Sequence, residues 1–153
     1  APLSACDFER DRSFSTTGLL GFLAQISRPS EIVIGEYCGQ TASFTGSAGG
    51  YVAVKNLCVA ACGSSTAHLC NPMEMQLGIE RGITPPSDSW YGTFVFHLDT
   101  TGGGTTNHDC QGWTQNVATS AGQRFNTAQQ APSRDLCNAA YPFACCDFVV
   151  LAQ

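Results

Sequence analysis

The side chains with most chemistry to offer are nine cysteines, Cys6, Cys38, Cys58, Cys62, Cys70, Cys110, Cys137, Cys145 and Cys146. Metal ligation, nucleophilic catalysis and covalent bracing compete for them. Cys58-x3-Cys62, followed by His68 and Cys70, brings sulfur and nitrogen ligands close together in the chain. Structural zinc sites usually show tight paired knuckles, and the second pair is missing here. A catalytic thiol needs a histidine and an electropositive pocket. Three histidines exist, His68, His97 and His108, but no family signature surrounds any cysteine. Bracing is the favoured reading, and this cysteine content fits an oxidising, secreted or cell-surface setting.

Two further groups are candidates for binding. Asp99, Asn107 and Asp109 flank the glycine-rich stretch "TTGGGTTNHD" and are the candidate calcium ligands, set against the ordinary turn chemistry of Asp and Asn. Trp90, Tyr91 and Trp113, with Asn107, His108 and Asp109, form the candidate ligand-binding set. Indole rings more often belong to a core than to a platform, whereas Tyr91, next to Gly92, is better placed for exposure. His108 is expected at the surface and His68 packed. No G-x-S-x-G, H-E-x-x-H or phosphate-binding loop occurs, and no catalytic set assembles, so a non-enzymatic protein is expected. No cofactor is expected apart from the calcium option.

Composition narrows the partners. The formal net charge is −5, charged residues are 12% of the chain and Lys55 is the only lysine. Nucleic acid demands clustered Lys and Arg, so it is excluded as a partner class. No apolar run approaches the roughly 18 residues of a spanning helix. The start "APLSAC" has no basic, apolar leader and reads as a processed mature end.

The elements that must position these residues follow from pattern. Residues 1–36 read as an N-terminal arm or extension, with a strand and short helix over 13–29, and residues 37–153 as the domain proper. "EIVIGEYCG" at 31–39 is a buried strand, and "SFTGSAGG" at 43–50 a glycine-rich turn. Val54, Leu57, Cys58, Ala61 and Cys62 repeat at helical spacing, predicting a helix over 51–62 stopped by Gly63. Asn71 caps a second short helix, with Pro72 at its first position and Gly82 past its end. Residues 89–99 read as a strand, 110–116 as a short strand or turn, 117–136 as polar and irregular, and "PFACCDFVVLA" as the last strand.

Neighbouring side chains in a strand point to opposite faces, so Cys145 and Cys146 are expected to bond in opposite directions to two different elements. Cys58 and Cys70 are the expected partners, in either order. Cys110 and Cys137 close a separate loop, Cys6 pairs with Cys38, and Cys62 is the odd thiol; a short Cys62–Cys70 bridge is the rival.

"FTGSAGGYVAVKNLC" resembles the glycine-rich turn and following helix of endostatin-like domains. "AHLCNPMEM", "DCQGWT" and "CNAAYPFACCD" are similar to successive landmarks of a related bacterial surface-domain family of unknown function. The likeness spans about residues 40–148, leaving the first 36 residues and Cys6 outside. It implies an α+β, C-type-lectin-like fold of the endostatin type: two short helices, loop-rich antiparallel strands and several disulfides. The calcium-binding triplets of true C-type lectins are absent, so calcium-dependent sugar binding does not carry over. The resulting expectation is a secreted or cell-surface recognition or adhesion module for a protein or glycan ligand. The alternative is a structural subunit of a surface assembly that self-associates through its N-terminal arm.

Overall fold

A computed structural model describes residues 32–93, 96–98 and 105–151, with the backbone alone at 96–98 and 105–107. The strand and helix expected over 13–29, and Cys6, lie outside the described residues, as does Asp99. Residues Val33–Leu151 form one compact unit. The elements are β1 (Ile32–Phe44), α1 (Tyr51–Cys62), β2 (His68–Leu69), α2 (Pro72–Arg81), β3 (Ser89–Trp90), β4 (Phe96–Leu98), β5 (Thr105–Asn107), α3 (Cys110–Trp113), β6 (Ala121–Asn126), β7 (Ala131–Leu136) and β8 (Tyr141–Leu151). Of the arm expected over 1–36, residues 32–36 open β1.

The class is α+β. A sheet ordered β1-β8-β3-β6-β7, with β2 also on β8, gathers both ends of the described chain. β8 runs parallel to β3, in register Trp90↔Phe143, and antiparallel to β2. The sheet is therefore mixed rather than antiparallel throughout. β4 and β5 form a separate two-stranded ladder.

Both long helices form for the reasons their sequences give. Asn71 Oδ1 accepts from the Glu74 amide at 3.0 Å while Glu74 Oε2 accepts from the Asn71 amide at 2.8 Å, a reciprocal capping box. Gly63 and Gly82 stop the helices in left-handed conformation, at φ 68° and 70°. On α1 the buried residues are Val54 and Cys58, four apart on one face.

The adjacent cysteines behave as strand geometry requires. Cys145 bonds Cys58 on α1, and Cys146 bonds Cys70 ahead of α2. Cys145 packs with Cys58 and Ala67, and Cys146 with Cys70, Met75, Tyr91 and Phe125. Cys110–Cys137 forms as expected. The expected Cys6–Cys38 pair is corrected: Cys38 bonds Cys62, so Cys62 is not the odd thiol. Helical periodicity turned Cys62 toward the core but could not show that β1 passes beside the end of α1.

Two other readings are corrected. Residues 117–136 are not irregular: β6 and β7 pair antiparallel from Ala121↔Leu136 to Asn126↔Ala131. Their polar composition masked a hairpin with few fully buried positions, of which Phe125 is one. Among the described residues there are three helices rather than two, because residues 110–113 form a single tight turn. All four of its residues have positive φ: Cys110 53°, Gln111 55°, Gly112 71° and Trp113 62°. Only glycine adopts this conformation without penalty. The Cys110–Cys137 bridge, the buried Trp113 ring and the Asp109 cap hold the turn against that penalty. Gln111 is exposed, so Gln111→Gly removes a left-handed side chain without disturbing packing. The expected result is a stabilisation of about 0.5–1 kcal/mol, read as a raised melting temperature.

Candidate functional site

A half-open cleft of about 280 Å³ lies among Tyr51, Lys55, His68, Leu69, Asn71, Gly92 and Thr93. Ligand pockets run from roughly 300 to 1,000 Å³, so this one suits a single small group. Four elements build it. The first two turns of α1 supply Tyr51 and Lys55, β2 supplies His68 and Leu69, the α2 cap supplies Asn71, and the segment after β3 supplies Gly92 and Thr93. The Gly92 amide donates to the Cys70 carbonyl at 2.8 Å, tying that segment to the Cys70–Cys146 bridge.

At one side of the cleft His68 sits between two acceptors. Nδ1 is 3.0 Å from the Thr66 carbonyl, and Nε2 is 2.9 Å from Glu74 Oε1. A carbonyl and a carboxylate can both accept a proton from the ring, an arrangement that favours the imidazolium form of His68. Burial opposes that charge; the Thr66 carbonyl, the Glu74 carboxylate and the charge of Asp147 outweigh it, so the His68 pKa is raised. The ring also packs on Phe148 with centroids 4.9 Å apart. Glu74 is buried, and its carboxylate fills the space beside Gly35, where any side chain on β1 would overlap it.

This pair predicts a pH dependence. His68 has its pKa raised on folding, so it stabilises fully below its unfolded value of about 6.5 and loses that contribution as pH rises through the folded value. Melting temperature is expected to fall across that alkaline-side window in the native protein. The fall should flatten in His68→Gln. An identical pH profile in both proteins contradicts the imidazolium assignment.

At the other side the Tyr51 hydroxyl donates to Asp109 Oδ2 at 2.8 Å, and Asp109 Oδ1 accepts from the Gly112 amide at 3.0 Å. Burial, then the bond to Asp109, raises the Tyr51 pKa. Half of Tyr51 nevertheless remains exposed along the cleft.

The residues singled out from sequence are placed differently. Trp90, Tyr91 and Trp113 do not form an exposed platform: they are 0%, 1% and 0% exposed. Trp90 donates its indole N–H to the Phe44 carbonyl at 3.0 Å, and Trp113 meets Phe143 edge-on at 5.0 Å. Tyr91 accepts from the Gln123 side chain at 2.8 Å inside the core. Its neighbour Gly92 implied room, but that room is taken by Leu69 and the Cys70 carbonyl. His108 is buried rather than exposed, near Arg134 at 3.5 Å. Both Asp109 carboxylate oxygens are engaged in holding α3 and Tyr51. The Asn107 side chain and Asp99 lie outside the described residues. Among the described residues no three His, Cys, Asp or Glu side chains gather as a metal ion requires.

The cleft residues Tyr51, Lys55 and Asn71 were missed as a site. Their one signal was the chain's single lysine, one turn from an aromatic on a predicted helix. His68, expected packed, is half-buried and paired with Glu74. No described helix is long and apolar enough to cross a membrane. No family model, no curated protein and no solved structure matches this chain.

Proposed function

We propose that this protein is a non-enzymatic extracellular or cell-surface recognition module of C-type-lectin-like fold, taking its ligand at the Tyr51–Lys55–His68 cleft. One observation carries the reading: the cleft's polar groups are committed to holding structure. His68 uses both nitrogens, Asn71 Oδ1 caps α2, and the Tyr51 hydroxyl serves Asp109. The Lys55 ammonium makes no ion pair among the described residues, and with the Tyr51 ring it is free to touch a ligand. Such a surface suits holding a ligand better than moving protons through it. Four disulfides fit the oxidising compartment that the reading requires. Endostatin-like ancestry, suggested by the glycine-rich turn before α1, is part of the same proposal.

The test is a binding screen against immobilised glycans and extracellular proteins, repeated with Tyr51→Ala and Lys55→Ala. Loss of at least tenfold in affinity in both variants, measured at a temperature where circular dichroism shows each still folded, supports the cleft. Ligands bound equally by the variants place recognition elsewhere.

A second reading, a structural subunit of a surface assembly, is favoured by one feature. Ile32 and Val33 on β1, and Phe148 and Val150 on β8, are exposed apolar side chains on strands neighbouring in the sheet. Deleting residues 1–30 should abolish polymerisation if the N-terminal arm makes the contacts. Assembly that survives the deletion rules the arm out.

A further inference from the structure

Three of the four disulfides have both sulfurs sealed in the core: Cys58–Cys145, Cys70–Cys146 and Cys110–Cys137 join residues that are all fully buried. Cys38–Cys62 differs. Cys38 is exposed on β1, and Cys62, the last residue of α1, is half-buried. Thiol–disulfide exchange proceeds by attack of a thiolate on one sulfur, so access decides which bridge reacts. Of nine cysteines, eight are paired within the chain, which leaves Cys6 with no cysteine partner there. On the same two strands, β1 and β8, Ile32, Val33, Phe148 and Val150 are exposed. That apolar strip is one on which a second copy can rest.

We propose that Cys38–Cys62 is an exchangeable disulfide and a covalent attachment site, and that the thiol it takes is Cys6 of a second copy of this chain. The Cys6 thiolate attacks Cys38 Sγ, forming a Cys6–Cys38 bond between copies as the Cys38–Cys62 bond breaks. Cys62 leaves with the electron pair and takes up the proton that Cys6 lost. One disulfide is exchanged for another, so no oxidant is consumed. Because donor and acceptor are different parts of the chain, linkage runs head to tail and each added copy brings a fresh acceptor. The three buried bridges stay intact and keep the sheet on α1 and α2 throughout. The inference is independent of the cleft, and neither stands or falls with the other.

The experiment incubates the native protein at high concentration without oxidant, quenches with an alkylating reagent and maps disulfides by mass spectrometry. Covalent oligomers containing Cys6–Cys38 links, with one alkylated Cys62 per link, are expected. Cys6→Ser, and separately the double variant Cys38→Ser/Cys62→Ser, should remain monomeric. In parallel, glutathione should add to Cys38 of the native protein at least about tenfold faster than to any cysteine of the other three bridges. That arm decides the accessibility claim even if the double variant fails to fold. The proposal is overturned by Cys6–Cys6 links, by transfer to Cys38 within one chain, by covalent oligomers in the double variant, by glutathione reacting equally at a buried bridge, or by no exchange at Cys38 at all.

Discussion

Replacing Cys58 and Cys145 together by alanine is expected to destabilise the protein by about 4–5 kcal/mol, a large part of the roughly 5–15 kcal/mol available to a domain of this kind. The bridge spans 87 residues, so in the chain-entropy view it removes much freedom from the unfolded state. Both sulfurs are fully buried, and the alanines leave a void between α1 and β8 where sulfur packs against Ala67. Chemical denaturation read by circular dichroism measures the loss. Cys38→Ala/Cys62→Ala is the internal comparison: its bridge spans only 24 residues, and Cys38 is an exposed residue. It should lose less, about 3 kcal/mol in the same entropic view. An equal loss in both pairs contradicts the ranking by loop length and residue burial.

Trp90→Ala should cost about 4 kcal/mol and weaken the cleft as well as the fold. The ring is fully buried, tilted against Trp113 with centroids 5.7 Å apart and edge-on to Tyr141 at 5.0 Å. Its indole N–H satisfies the Phe44 carbonyl at the end of β1. Alanine therefore opens a large cavity and also leaves that carbonyl without its donor. Phenylalanine refills much of the volume but not the hydrogen bond, so Trp90→Phe should lose about 2 kcal/mol. Trp90 pairs with Phe143 in β8 and with Arg124 in β6, two residues before the cleft's Gly92. A shift of β3 thus reaches the cleft floor. The check is denaturation for stability, with ligand affinity of the refolded phenylalanine variant as the second readout. Wild-type stability in Trp90→Ala would show that the central cluster is not where the fold is held.

What the sequence determined by itself is local. The span and stop of α1 follow from the 3-4 spacing through Cys62 and from Gly63, and α2 follows from Asn71, Pro72 and Gly82. Each depends on residues within a few positions of one another. The divergence of Cys145 and Cys146 was legible for the same reason, since alternation along a strand is a property of consecutive residues. The partner of Cys38 was not legible, because it depends on β1 crossing the end of α1, 24 residues away in sequence. The β6–β7 hairpin was hidden by strands whose side chains are mostly polar and half-buried, which erases the period-2 signal. The left-handed turn at Cys110–Trp113 was hidden too: its conformation is imposed by a distant bridge and a buried ring, not by its own residue preferences.

The candidate site divides in the same way. Trp90, Tyr91 and Trp113 could be recognised as important from residue type, but only packing decided that they serve the core. Tyr51, Lys55, His68 and Asn71 come from three separate elements, and no spacing rule links them. They meet because β2 pairs with β8 while the two disulfides of Cys145 and Cys146 draw α1 and the start of α2 onto the same strand. The pairing of His68 with Glu74 has the same origin: residue type made His68 titratable, and only the fold set it between a carbonyl and a buried carboxylate.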